Sequence, residues 1–182
     1  MKILMHICCA PCAIYPVSEL RAGGKLVTGF FFNHNIHPYL EYRRRLDTVV
    51  DYAQKESLEI IVDEEYRLEE FLAVVARKPD DRCGYCYRAR LERTAEEAAV
   101  KGFDSFSSSL LYSRFQNHDM IRSLGEQAGE KFGVPFHYDD FRRGWQDGIR
   151  MSKESGMYRQ QYCGCIYSEK DRYAPKASTR SR

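Results

Sequence analysis

The seven cysteines of this 182-residue chain fall into three tight clusters: Cys8-Cys9-Ala10-Pro11-Cys12, Cys83-Gly84-Tyr85-Cys86 and Cys163-Gly164-Cys165. Thiols one to three residues apart, in segments roughly seventy to eighty residues distant, can be gathered by folding around one metal or redox centre. Three chemistries compete for them. Cys9-x-x-Cys12 and Cys83-x-x-Cys86 have the spacing of a structural zinc site, which leaves Cys8, Cys163 and Cys165 without work. Cys9-Ala10-Pro11-Cys12 also resembles a thioredoxin-type dithiol activated by a helix N-terminus, a use that leaves Cys8 and the two later clusters superfluous. A [4Fe-4S] cluster needs four thiolates, which Cys8, Cys9, Cys83 and Cys86 can supply if the chain turns sharply after Cys9, as Ala10-Pro11 allows.

Cys163-Gly164-Cys165 differs in kind. One residue between thiols is short for two ligands on one iron but suits a strained, easily reduced disulfide, and Gly164 gives the backbone freedom to close it. We read it as a redox-active pair, with metal ligation as the alternative, which leaves Cys12 over.

The elements that must position these thiols alternate. Lys2 to Ile7 reads as a buried strand and Pro11 to Ala22 as a helix stopped by Gly23-Gly24. Leu26 to Phe32 is a second strand, Asn33-His34-Asn35 a loop, and about Tyr39 to Lys55 an amphipathic helix. Leu58 to Val62, Phe103 to Ser108 and Val134 to Tyr138 complete five strands. Helices fall at Leu68 to Ala76, about Tyr85 to Lys101, and Asn117 to Phe132, the last closed by Gly133. This rhythm predicts an α/β fold: a parallel sheet with helices on both faces, ligands beyond the carboxyl ends of its strands, and an irregular helical C-terminal segment. Cys8, Cys9, Asn33, Ser108 and Asp139 or Asp140 fall at such ends. The length predicts a single catalytic domain over 1–182, with a disordered basic tail from about 172.

Net charge is +2 with 30% charged residues, so no excess of basic charge demands a nucleic acid. The local clusters Arg43-Arg44-Arg45, Arg88/Arg90/Arg93, Arg142-Arg143 and the arginine-rich tail each read as a solvated face or a phosphate contact. The odd cysteine count and the absence of a secretory leader or membrane span in the first residues predict a reducing, cytoplasmic setting with no membrane association.

Six runs of residues carry a family resemblance. His6-Ile7-Cys8-Cys9-Ala10-Pro11-Cys12, Asn33-His34-Asn35-Ile36-His37-Pro38, Cys83-Gly84-Tyr85-Cys86-Tyr87-Arg88, Ser109-Leu110-Leu111-Tyr112-Ser113, Asp140-Phe141-Arg142 and Tyr158-Arg159-Gln160-Gln161-Tyr162-Cys163-Gly164-Cys165 occur in this order. Together they resemble the cobalamin-independent epoxyqueuosine reductases, the QueH-type family, from residue 2 to about 170. The one local departure is Ser107-Ser108-Ser109, where relatives more often carry threonine. The resemblance implies a Rossmann-like fold and the last step of queuosine biosynthesis, a two-electron removal of the epoxide oxygen of epoxyqueuosine at the tRNA wobble position. It implies a [4Fe-4S] cluster on Cys8, Cys9, Cys83 and Cys86, a redox-active Cys163 and Cys165, and an adjacent mononuclear iron with Cys12 and Asp140 as its candidate ligands. The implied partners are tRNA carrying epoxyqueuosine and an unidentified electron donor.

Asp140, or a tyrosine, is expected to supply a proton as oxygen leaves as water; a helix cap or a pair with Arg142 or Arg143 is its plainer role. Arg88, Arg142 and Arg159, with Arg143 and the tail, are the tRNA candidates. His6 reads as a satisfied core histidine, while His34 and His37 read as substrate contacts or loop-stabilising groups. Tyr85, Tyr87, Tyr158 and Tyr162 flank cysteines and are expected to shield the sulfur centre from water, with stacking on a flipped wobble base as the alternative. Two other classes compete: a zinc-stabilised RNA-binding module without catalysis, and a metal-free thiol oxidoreductase using Cys9 and Cys12.

Overall fold

The computed structural model describes residues 1–175. Its sheet has four strands, β1 (Lys2–His6), β2 (Leu26–Phe31), β3 (Ile60–Val62) and β4 (Ser105–Ser108), in the order β3-β2-β1-β4. All three pairings are parallel, with Leu4 opposite Thr28 and Phe106, and Phe30 opposite Ile61. Seven α-helices accompany the sheet: α1 (Ala10–Ala22), α2 (Tyr39–Lys55), α3 (Leu68–Val75), α4 (Arg82–Lys101), α5 (His118–Phe132), α6 (Trp145–Glu154) and α7 (Ile166–Tyr173). Ile3, Leu4 and Met5 are consecutive on β1 and all fully buried. Successive strand residues face opposite sides, so both faces of the sheet are covered, as the sequence pattern predicts. The chain winds β1 to β2 to β3 in one direction and then places β4 on the other side of β1. The switch point therefore lies between the carboxyl ends of β1 and β4, where ligands of such sheets bind.

Three expectations change. The fifth strand is a single parallel bridge between Phe106 and Phe136, with Phe106 donating to the Pro135 carbonyl and His137 to that of Phe106. Pro135 has no N–H to extend the ladder, so the segment remains a bridge. α4 begins three residues early, which places Cys83 inside its first turn. Arg172 and Tyr173, assigned to a tail by the sequence, close α7, held by an Arg82–Asp171 ion pair at 2.6 Å and edge-on packing of Tyr173 against Tyr162. Residues 176–182 of that tail lie outside the described residues.

Candidate active site

β1 delivers the chain to a turn at which Cys9 takes the N-cap position of α1 with extended backbone. Pro11 sits in the first turn, where its fixed φ suits the helix and its missing N–H leaves no bond unmade. The sulfurs of Cys8, Cys9 and Cys12 consequently lie within 4.8 Å of one another. Cys8 and Cys9 are buried and Cys12 is partly exposed. The Cys8 amide donates to Ser109 Oγ at 3.2 Å, tying the thiol turn to the end of β4 across the switch point. Beneath it, His6 is fully buried between Ser108 Oγ (3.0 Å) and the Phe32 carbonyl (3.1 Å), so its Nε2–H donates to the carbonyl and Nδ1 accepts from the hydroxyl. It is the satisfied core histidine its place on a strand suggests.

The three thiols differ in how readily they ionise. Cys8 is held well below the ordinary thiol range by hydrogen bonds from Cys12 and Cys9, with Arg90 and His6 adding to the effect against the cost of burial. The same bonds push Cys12 up, and burial pushes Cys9 up. Cys8 is therefore the first of the three to ionise.

Cys83 and Cys86 stand one turn apart on α4, Cys83 exposed and Cys86 buried, and burial pushes the Cys86 thiol up to about 12. One turn further along, Arg90 is 1% exposed and has no carboxylate within 4 Å among the described residues. It donates to Asn35 Oδ1, while its Nε finds no partner. Its positive charge lowers the pKa of both Cys8 and Cys86, so one buried guanidinium serves both cysteine pairs.

A second buried arginine holds the third cluster. Arg45 on α2 donates from Nε to Glu41 (2.7 Å) and through its two terminal nitrogens to the carbonyls of Cys163 (2.8 Å) and Tyr162 (3.0 Å). Tyr158 completes the network with a 2.5 Å bond to the other Glu41 oxygen. Burial works against charge on Arg45, but the ion pair with Glu41 and the neighbouring sulfur group outweigh that cost and keep the guanidinium protonated. The His37 amide donates to the Gly164 carbonyl at 2.8 Å. A side chain at Gly164 would press on Ile36 Cγ1 at 3.2 Å, a second reason for glycine there. Both cysteines of this run are free thiols rather than the expected disulfide, and they face different surroundings. Cys163 is exposed, with Gln116 Nε2 donating to its sulfur at 3.5 Å; Cys165 is buried beside Phe71 and Val75 and accepts from the Ser168 amide at the start of α7.

Cys8, Cys12, Arg90 and Cys163 line one cavity of about 390 Å³, completed by Tyr112, Trp145, Arg159 and Gln160 among others. Gln160 donates to Cys12 Sγ at 3.3 Å. The size falls in the range of small-molecule sites. α6 is laid against this wall through Gly148, where a Cβ would collide with the Tyr112 hydroxyl, itself bonded to the Trp145 carbonyl at 2.8 Å.

Asp140 lies outside the sulfur group. Arg142 grips its carboxylate through Nε (2.7 Å) and a terminal nitrogen (2.6 Å) and holds its pKa down at about 2. Its carboxylate also accepts from the Arg142 amide at 3.1 Å, so the contacts made here are those of its plainer role, a helix cap paired with Arg142. Of the arginines expected to meet tRNA, Arg88 pairs with Glu92 at 3.7 Å and Arg142 with Asp140, whereas Arg159 lines the cavity with no carboxylate within reach among the described residues. His37 donates from Nε2 to the His34 carbonyl, the loop-stabilising role; His34 is buried among Phe32, Phe71 and Tyr85 with neither ring nitrogen partnered.

Arg45 and Arg90 were read in the sequence as members of basic clusters and are in fact interior. The signal for this is periodicity: Arg45 falls on the stripe Tyr42, Leu46, Val49, Tyr52 and Ala53, and Arg90 on the stripe Cys86, Tyr87, Leu91, Thr94 and Ala95. Three sulfurs this close, two buried guanidinium groups beside them and unpartnered buried atoms on Asn33, His34 and Arg90 form a donor set suited to a thiophilic metal centre of net negative charge.

Comparison with known proteins agrees with this reading. The family model described as epoxyqueuosine reductase QueH matches residues 3–171. Curated proteins of that name are 37% identical over 172 residues in Dehalococcoides mccartyi, covering 94% of each chain, and 40% identical over 176 residues in Thermotoga maritima, covering 91% of this chain and 89% of that protein. In fold, the chain is similar to a structure described as a predicted subunit of tRNA methyltransferase from Methanocaldococcus jannaschii, with a TM-score of 0.56, 14% identity, and coverage of 85% of this chain and 75% of that one. With the match spanning all three cysteine clusters and the elements between them, the chain belongs to the epoxyqueuosine reductase QueH family.

Proposed function

We propose that this protein is an epoxyqueuosine reductase acting on tRNA, with an iron-sulfur centre held by Cys8 and Cys9 together with Cys83 and Cys86. The observation that carries the reading is the buried Cys8, Cys9 and Cys12 group opening, with Cys163, onto one cavity. A [4Fe-4S] cluster bound there would supply electron transfer one electron at a time. Arg90 offsets the negative charge of the thiolates from between the two pairs, and Arg45 does so from the side of Cys9. Tyr112, whose pKa burial pushes up to about 12, stays a neutral phenol and presents no negative charge to the cavity.

Cys163 and Cys165 supply the remaining need. Closing their dithiol to a disulfide releases two electrons and two protons, the number that takes an epoxide to an alkene and water. Arg159 at the cavity wall meets tRNA phosphate, and an external electron donor re-reduces the pair. The chain acts as one catalytic domain, and among the described residues no helix is long and apolar enough to cross a membrane. Iron and acid-labile sulfide analysis of protein purified without oxygen, with and without Cys83→Ser, tests the centre. About four irons and four sulfides per chain, lost in the variant, together with conversion of epoxyqueuosine tRNA, support the reading. Zinc, or reductase activity that survives Cys83→Ser, overturns it in favour of the RNA-binding module or the metal-free dithiol.

A further inference from the structure

Phe115 is the most exposed large apolar side chain among the described residues, at 84%. Its exposure does not come from a slack loop. The Phe115 amide donates to Ser113 Oγ (3.2 Å), the Tyr87 hydroxyl bonds Gln116 Oε1 (2.7 Å), and Asn117 caps α5 by accepting from the Met120 amide (3.0 Å). The backbone is pinned on both sides of a ring that is left standing in water, although burying such a ring is favourable. Phe115 meets Trp145 edge-on at 5.7 Å, and Trp145 in turn stacks on Tyr112 at 5.1 Å in the wall of the sulfur-bearing cavity. The result is an aromatic ledge running from the exposed loop into the cavity. The Arg114 guanidinium lies 5.8 Å over the Trp145 ring, and Arg159 and Arg172 line the same cavity. None of these three has a carboxylate within 4 Å among the described residues, whereas most other arginines are paired.

Flat rings beside guanidinium groups without counter-ions fit an unpaired nucleotide: the ring takes the base and the cations take the phosphate. We propose that Phe115, with Trp145 and Arg114, forms the platform on which the unpaired base next to the reacting nucleoside stacks. This rests on the tRNA reading above and extends it to a second nucleotide. Phe115 is a positioning residue, since it holds a neighbour of the reacting group and does not touch the sulfur centre.

Trp145 is the only tryptophan of the chain, so its fluorescence reports directly on this ledge. The probe is an RNA hairpin with an unmodified anticodon loop, titrated into the whole protein beside a fully paired duplex of the same composition. The hairpin is expected to quench Trp145 and the duplex to leave it largely unchanged. Phe115→Ala should weaken hairpin binding by ~5- to ~100-fold, the range for loss of one base-aromatic stack, and Phe115→Tyr should restore it. With epoxyqueuosine tRNA, Phe115→Ala should raise KM more than it lowers kcat. Hairpin binding that is unchanged by Phe115→Ala, or a duplex that binds as well as the hairpin, overturns the platform. Phe115-dependent hairpin binding by a protein that reduces no epoxide keeps the platform and sinks only the assigned reaction.

Discussion

Replacing Arg45 with Met removes the charge of a fully buried side chain while filling much of its volume. What remains is Glu41, whose side chain is 8% exposed and whose carboxylate then has the Tyr158 hydroxyl as its polar partner. Breaking one member of a buried ion pair costs about 3–5 kcal/mol, because the other charge is left uncompensated. The two carbonyls that Arg45 holds belong to Tyr162 and Cys163 and are only part-buried, so water can take over in part and the stranded Glu41 charge dominates the cost. For a domain of this size each kcal/mol lowers Tm by about 2–4 °C, which places the loss at roughly 6–20 °C. Glu41→Gln in the same chain removes the stranded charge, and Tyr158 can still donate to the amide oxygen. The double variant should therefore be more stable than Arg45→Met alone. Thermal and urea unfolding of reduced, metal-free protein, followed by far-UV circular dichroism, measures both. A cost below about 1 kcal/mol for Arg45→Met, or a double variant no more stable than that single one, would refute the argument.

Burial holds His34 down at about 3 and His37 at about 4, both below the 6.5 of an exposed histidine. The unfolded chain therefore takes up their protons first as pH falls. Their stabilising contribution is complete above pH 6.5 and is lost as pH falls from there, down to about pH 4 for His37 and about pH 3 for His34, with a slope approaching about 2.7 kcal/mol per pH unit where both titrate. Urea unfolding at a series of pH values checks this; stability that holds or rises on acidification across the window counts against it. Gly148→Ala, where a Cβ would collide with the Tyr112 hydroxyl, should cost about 1–3 kcal/mol by overpacking. It should also shift the Trp145 emission, because the displaced ring is the one Trp145 stacks on; an unchanged spectrum with unchanged stability would show that α6 relaxes freely.

The first half of the fold was legible because its signals agree with one another. The apolar run of β1, Pro11 at the helix start, the Gly23-Gly24 stop and the long amphipathic α2 all point the same way. The fifth strand was over-read, since apolar residues from Val134 to Tyr138 satisfy a strand pattern while Pro135 blocks the ladder. The cysteine clusters announced the site, but their grouping depends on the turn at Cys9, which places Cys12 against Cys8 in a way that spacing alone leaves open. Arg45 and Arg90 sit among other arginines in the sequence, and charge counting hides them; only their register on the apolar stripes marks them as interior. Trp145 and Phe115 carry no local signal at all. Their meeting depends on how α6 is laid against α1 and against Tyr112 in the turn after β4, a long-range result of packing.

The hold on the Cys163-Gly164-Cys165 run is made through the main chain. Arg45 captures the carbonyls of residues 162 and 163, and the His37 amide captures that of residue 164. Three consecutive carbonyls are thus fixed by groups that are indifferent to which side chains the run carries. The thiols can change oxidation state or partner while the strap beneath them stays moored, much as a tool is exchanged in a fixed holder. For the experimenter this makes Cys163→Ser a clean probe, since the loop should keep its place and a loss of turnover can be assigned to the missing sulfur.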